Sequence, residues 1–152
     1  MSQATVTHAT FDIERSYPAS PEKVFAAFAD PAKKRRWYAE GERTIVSYTM
    51  DFRVGGHDRL VFTLPNGFTC VNDTTYLDIV PNQRIVVAYT MSIDDKRFSS
   101  SHDTFEFLPT AQGTTLLFTE QAAFFEGSDG PKSREHGWGV LLNQLAEYLS
   151  RD

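Results

Sequence analysis

The stretch SREHGWGVLLNQLAEYL, from Ser133 to Leu149, decides the fold. Trp138, Leu141, Leu142, Leu145 and Leu149 recur at helical spacing and form one apolar stripe about 100° wide, while His136, Asn143 and Glu147 fall outside it. The spacing predicts a helix over 131–150 with Trp138 and Leu142 largely buried. A long one-sided helix closing a chain rich in strand signals must lie across a sheet. Between such a helix and a curved sheet there is often room for a ligand.

Working back from that helix, the middle of the chain reads as β. Strands are predicted over 43–50, 58–64, 68–80, 84–93, 97–108 and 114–125. Turn residues separate them at Gly55-Gly56, Pro65-Asn66-Gly67, Pro81-Asn82, Asp94-Asp95-Lys96 and Ala111-Gln112-Gly113. Connections this short imply antiparallel pairing, since parallel pairing needs crossovers. At the start of the chain, Phe11, Ile13 and Tyr17 alternate with Asp12, Glu14 and Ser16, which gives a strand over 7–17. Ser20-Pro21-Glu22 and then Asp30-Pro31 each read as a helix start, with a capping side chain before a proline. The expected order is one strand, two short helices, six strands and one long helix. With no repeat or long linker, residues 1–152 read as a single domain.

Composition narrows the function classes. Hydrophobic residues at 41% and 12 phenylalanines supply ample apolar surface for a core or a pocket wall. A net charge of -5 argues against broad binding to nucleic acid or an anionic membrane. The basic run Lys33-Lys34-Arg35-Arg36 therefore reads as a solvated helix face. The lone cysteine, Cys70, fits a reducing compartment, and no signal peptide or ~20-residue apolar span is visible. A cytoplasmic location without membrane insertion is expected. His8, His57, His102 and His136 lack metal-ligand spacing, so no metal is expected. No phosphate-cradling glycine loop or nucleophile elbow occurs, so no cofactor and no catalytic residue is assigned.

Several local motifs occur in a fixed order: Tyr17-Pro18-Ala19-Ser20-Pro21-Glu22-Lys23-Val24-Phe25, Asp30-Pro31, Arg36-Trp37, Asp51-Phe52-Arg53-Val54-Gly55-Gly56, Leu77 to Val86, Gly113-Thr114-Thr115-Leu116 and His136-Gly137-Trp138. Together they resemble the START-like (SRPBCC) superfamily, and within it the family related to the C-terminal domain of the heat-shock-protein-90 ATPase activator. The resemblance covers roughly Phe11 to Leu149. It implies an α+β helix-grip fold, a curved antiparallel sheet of about seven strands wrapped around a long C-terminal helix. It fixes function poorly, because relatives include lipid carriers, hormone receptors, cyclases and co-chaperone domains.

Strand alternation points to site residues. Arg15 shares a face with Phe11 and Ile13, Asp103 with Phe105 and Phe107, and Glu120 with Phe118 and Phe124. If the aromatic faces are inward, so are these three charges, and buried charges need partners. Arg15 and Glu120 are expected to pair, since the first and last strands of a helix-grip sheet are neighbours. Arg134, one turn before Trp138, is placed either to meet an anionic group or to reach solvent past the indole. Phe62, Tyr89, Phe105, Phe118, Trp138 and Leu142 are the expected cavity wall. The Asp51–Gly56 segment reads as a turn, or else places Arg53 at a cavity rim. The leading expectation is a non-enzymatic protein that holds a small apolar or amphipathic molecule. An enzyme of the cyclase, dehydratase or hydrolase kind, or a chaperone-associated module with a protein partner, are the alternatives.

Overall fold

The structure is a computed structural model that describes residues 5–39 and 43–151. The chain termini and the stretch 40–42 lie outside the described residues, so the expected domain bounds of 1 and 152 do too.

Chain order is β1 (Val6–Tyr17), α1 (Pro21–Ala29), α2 (Pro31–Tyr38), β2 (Thr44–Met50), β3 (His57–Thr63), β4 (Thr69–Val80), β5 (Arg84–Ile93), β6 (Lys96–Thr110), β7 (Gly113–Phe125) and α3 (Pro131–Arg151). The seven strands form one antiparallel sheet in the order β1-β7-β6-β5-β4-β3-β2. Only the β1–β7 neighbours are far apart in sequence; every other pair is a hairpin. Register shifts at Ile45/Ser47, Tyr76/Asp78 and Met91/Ser92 bend the sheet, as bulges do. This is the helix-grip architecture that the resemblance implies, and it follows the expected element order.

Local chemistry sets the helix boundaries. Ser20 Oγ accepts from the Lys23 amide at 3.2 Å, and Asp30 Oδ1 accepts from the Ala32 amide at 2.9 Å, each just ahead of a proline. At the β6–β7 turn Gly113 has φ of 154°, and a Cβ there would stand 2.2 Å from the Tyr17 carbonyl. Only glycine lets β7 start this close to the end of β1. Thr114 Oγ1 then donates to the Ala19 carbonyl at 2.7 Å and fixes the β1–α1 corner.

Two sets of contacts fill the concave side. Around α1, Phe28 lies 4.9 Å from Trp37 and 5.3 Å from Phe107, ring centre to ring centre. Trp37 Nε1 donates to the Ala27 carbonyl at 2.8 Å, so the junction of the two short helices is pinned from inside. Along α3, Leu142, Leu145, Tyr148 and Leu149 are buried, and Tyr17 Oη donates to the Leu142 carbonyl at 3.0 Å. The helical stripe thus falls where spacing placed it, with Tyr148 added. Trp138 packs against the core but is less buried than Leu142, because it also lines a cavity.

Leu142 has no exposed surface. Leu142→Ala should destabilise the protein by about 2–5 kcal/mol in urea unfolding. A loss under about 0.5 kcal/mol would mean that α3 is seated on a different face.

Candidate functional site

Strand alternation turns Ser99, Ser101 and Asp103 of β6, Glu120 of β7 and Tyr89 of β5 toward the concave side. The first turn of α3 lowers Arg134 onto them. Its Nη1 donates to Tyr89 Oη at 3.1 Å and lies 3.5 Å from Glu120 Oε2; its Nη2 donates to Ser99 Oγ at 2.8 Å and to Asp129 Oδ1 at 2.9 Å. Nε donates to Asp129 Oδ2 at 3.1 Å, so every nitrogen of the guanidinium is engaged. The plane also lies over Phe124, 5.2 Å from its centroid. Tyr89 Oη passes the link on to Glu120 Oε1 at 2.7 Å and receives Trp138 Nε1 at 3.1 Å. Arg134 therefore neither reaches solvent nor offers a free donor to a ligand. It locks α3 to the sheet.

The expected Arg15–Glu120 pair is not formed. Register sets Glu120 opposite Phe11 and Arg15 opposite Leu116. Four residues of β7, about 13 Å, separate the two positions. Arg15 is half-buried, and its Nε donates to Asn143 Oδ1 of α3 at 3.4 Å. Alternation gave the right face for both charges, but the partner of Glu120 comes from the helix.

A second polar node was not anticipated. Lys34, from the basic run of α2, is buried and corrects the reading of that run as wholly solvated. Its Nζ lies 2.8 Å from Asp58 Oδ2, which also accepts from Tyr48 Oη at 2.6 Å and Tyr76 Oη at 2.9 Å. Burial first, and then the Asp58 charge, hold Tyr48 and Tyr76 as neutral phenols. The signal was there in part: Asp58, Leu60 and Phe62 share one strand face, so an inward Asp58 required a cation. Nothing in a Lys-Lys-Arg-Arg run tells which member turns in.

Between these nodes a partly open cavity of about 650 Å³ separates α3 from β3, β4 and β5. Tyr38, Phe62, Tyr89 and Met91 form its floor, and Gly137, Trp138, Val140 and Leu141 its helical wall. Arg43, Asn72, Asp129, Ser133, His136 and Gln144 add a polar margin, and Arg134, as the sequence suggested, also lines the cavity although its nitrogens are already engaged. Of the anticipated wall residues, Phe62, Tyr89 and Trp138 line it, and Phe105 lines a smaller space beneath it. Phe118 and Leu142 lie behind the wall in the packed core, with Phe118 4.6 Å from Trp138, ring centre to ring centre. Arg53 is exposed, paired with Asp51 at 2.7 Å in its turn, and lines no part of the cavity. Among the described residues no three His, Cys, Asp or Glu side chains gather as a metal site would need. No helix among them is long and apolar enough to cross a membrane.

Asp103 stands directly opposite Glu120 in the β6–β7 ladder, and both are fully buried. Burial first, then the Glu120 charge and the hydrogen bond between them, raise the Asp103 carboxyl well above the ordinary range. Burial and the facing carboxyl therefore favour the protonated form of Asp103.

Two measurements test this electrostatic frame. Arg134→Met should cost about 3–5 kcal/mol, because it strands the Glu120 charge, and Glu120→Gln should be better tolerated in that background than in the wild type. Purely additive unfolding energies would show that the two are uncoupled. A proton held more tightly in the folded state stabilises most below the unfolded carboxyl value near 3.9, and that stabilisation is lost as pH rises, by up to about 1.4 kcal/mol per unit. Asp103→Asn should accordingly flatten the decline in stability above about pH 4. Parallel pH curves for mutant and wild type would place the proton elsewhere.

Comparison with known proteins agrees with this geometry. An uncharacterised protein from Rhizobium leguminosarum superposes with a TM-score of 0.95 at 37% identity, over 99% of this chain and 100% of the other. Protein Mll3558 from Rhizobium loti is 46% identical over 95% of this chain and 99% of its own, with a TM-score of 0.88. A Staphylococcus aureus protein of unknown function, 20% identical over 96% of both chains, shares the fold at a TM-score of 0.77. None of the curated proteins matches the chain. The family described as activator of Hsp90 ATPase homolog 1-like protein matches residues 18–150, which run from the start of α1 through β2–β7 and nearly to the end of α3. The chain belongs to that family, within the START-like superfamily.

Proposed function

We propose that the protein binds a small apolar or amphipathic molecule in the cavity between α3 and strands β3–β5. The observation that carries this reading is the cavity itself. About 650 Å³ falls within the range of small-molecule sites, and an aromatic floor with a polar margin on one side is their usual composition. Apolar area buried there contributes about 25 cal/mol per Å², less the cost of immobilising the ligand. The walls are preset by the two polar nodes, so little ordering is left to oppose binding.

Gly137 gives a direct test. It lines the cavity, and a Cβ added there meets nothing within 4 Å. Gly137→Phe therefore adds its Cβ in open space and sets a ring at the cavity mouth, and it removes a residue that costs a helix about 1 kcal/mol relative to alanine. Amide NMR titration with fatty acids, flavonoids and sterols should reveal micromolar binders that shift Phe62, Met91 and Leu141. Gly137→Phe should weaken them at least tenfold while leaving the melting temperature unchanged or higher. Unchanged affinity in that variant would move the site elsewhere, and a screen without binders would favour a protein-docking role.

A further inference from the structure

Beneath the cavity lies a second, much smaller space of about 20 Å³. Tyr38, Tyr89 and Trp138 line both spaces, so the smaller one adjoins the larger across these three side chains. Its volume admits about one water-sized group. Lys34, Thr74, Tyr76 and Asp103 supply its polar lining together with the phenols of Tyr38 and Tyr89, and the rest is apolar.

Asp103 is the unexplained member. It has no exposed surface, and no N–H or O–H of the described residues reaches either of its oxygens. Its neighbour across the ladder is the Glu120 carboxyl, and two facing buried carboxyls are held together most easily by one shared proton. A carboxylic acid that donates its proton sideways still presents an oxygen as acceptor. Left unsatisfied in a buried place, such an acceptor costs about 1–3 kcal/mol.

Charge matching narrows the chemistry further. Lys34 is matched by Asp58, and Arg134 by Glu120 with Asp129 at the mouth. Arg134 thus already faces two carboxylates, and a further anion brought into the chamber would stand uncompensated in a desolvated space.

We propose that the chamber is a hydroxyl-binding subsite, in which a neutral, largely apolar ligand places one hydroxyl to donate to the free Asp103 oxygen. The rings of Tyr38 and Trp138 hold the apolar body above it, and the hydroxyl takes the place of a water. This assignment rests on reading the cavity as a ligand site. It excludes carboxylate-headed lipids from the chamber, where their charge would meet the Asp103–Glu120 pair.

Isothermal titration calorimetry with 2-naphthol, 2-methoxynaphthalene and 2-naphthoate at neutral pH tests it. The three share one apolar body and offer a neutral donor, an acceptor only, and an anion. Wild type should bind the naphthol about tenfold tighter than the ether, as one buried hydrogen bond allows, and the naphthoate most weakly. Asp103→Leu should abolish the preference for naphthol. Asp103→Asn should keep it, because an amide that donates to Glu120 still turns its oxygen to the chamber. Equal affinities for naphthol and ether in the wild type would overturn the subsite while leaving the cavity reading intact. Preference for the naphthoate would overturn it too, and binding of none of the three would count against both. The wild-type comparison decides even if a variant fails to fold.

Discussion

The arrangement depends on a single guanidinium held inside the protein. Arg134 enters the sheet from the first turn of α3 and meets Tyr89, Ser99, Ser101, Glu120 and Asp129. Taking an ion pair out of water costs several kcal/mol per charge, and the pair alone rarely recovers that. Here the remaining donors are satisfied by hydroxyls and a second carboxylate, which is the condition under which a buried charge is tolerated. Its larger contribution is geometric. Apolar stripes slide and rotate at small cost, whereas a fork of directed hydrogen bonds fits one rotation and one depth of the helix.

The Lys34–Asp58 node does for α2 what Arg134 does for α3. Three donors converge on one Asp58 oxygen, so the end of α2 cannot drift from β2, β3 and β4. The Tyr38 ring carries the Lys34 ammonium 4.7 Å from its centroid and also forms cavity floor. Structural and binding surfaces are thus the same aromatic side chains seen from two sides. A hydrophobic core alone would close such a space. Two fixed polar anchors on either side of it allow it to stay open.

Much of this was legible in the residues. Periodicities of two and near 3.6 located every element and put Asp103 and Glu120 on the inner face. The Ser20-Pro21 and Asp30-Pro31 pairs marked both short helices. Partner choice was not legible, because it depends on register and on helix height. Arg15 and Arg134 were both inward cations within plausible reach of Glu120, and only the β1–β7 pairing separates them by distance. Phe118 and Leu142 show the same limit: alternation says which way a side chain points, not whether a cavity or another side chain lies there. Trp138, the most bulky residue of the stripe, is for that reason less buried than Leu142.

Gly137 and Gly139 flank Trp138 in the middle of α3, between the Arg134 anchor and the leucine-packed end. Each lowers helix propensity by about 1 kcal/mol relative to alanine. The helix is consequently a beam clamped at both ends and compliant at mid-span. Its bending compliance is concentrated where the indole meets the cavity, so an outward shift of Trp138 would give up its hydrogen bond to Tyr89 while the other bonds of Arg134 stay in place. An occupant thick enough to lift the indole would therefore be met by bending at these two glycines, and the sheet beneath would keep its shape.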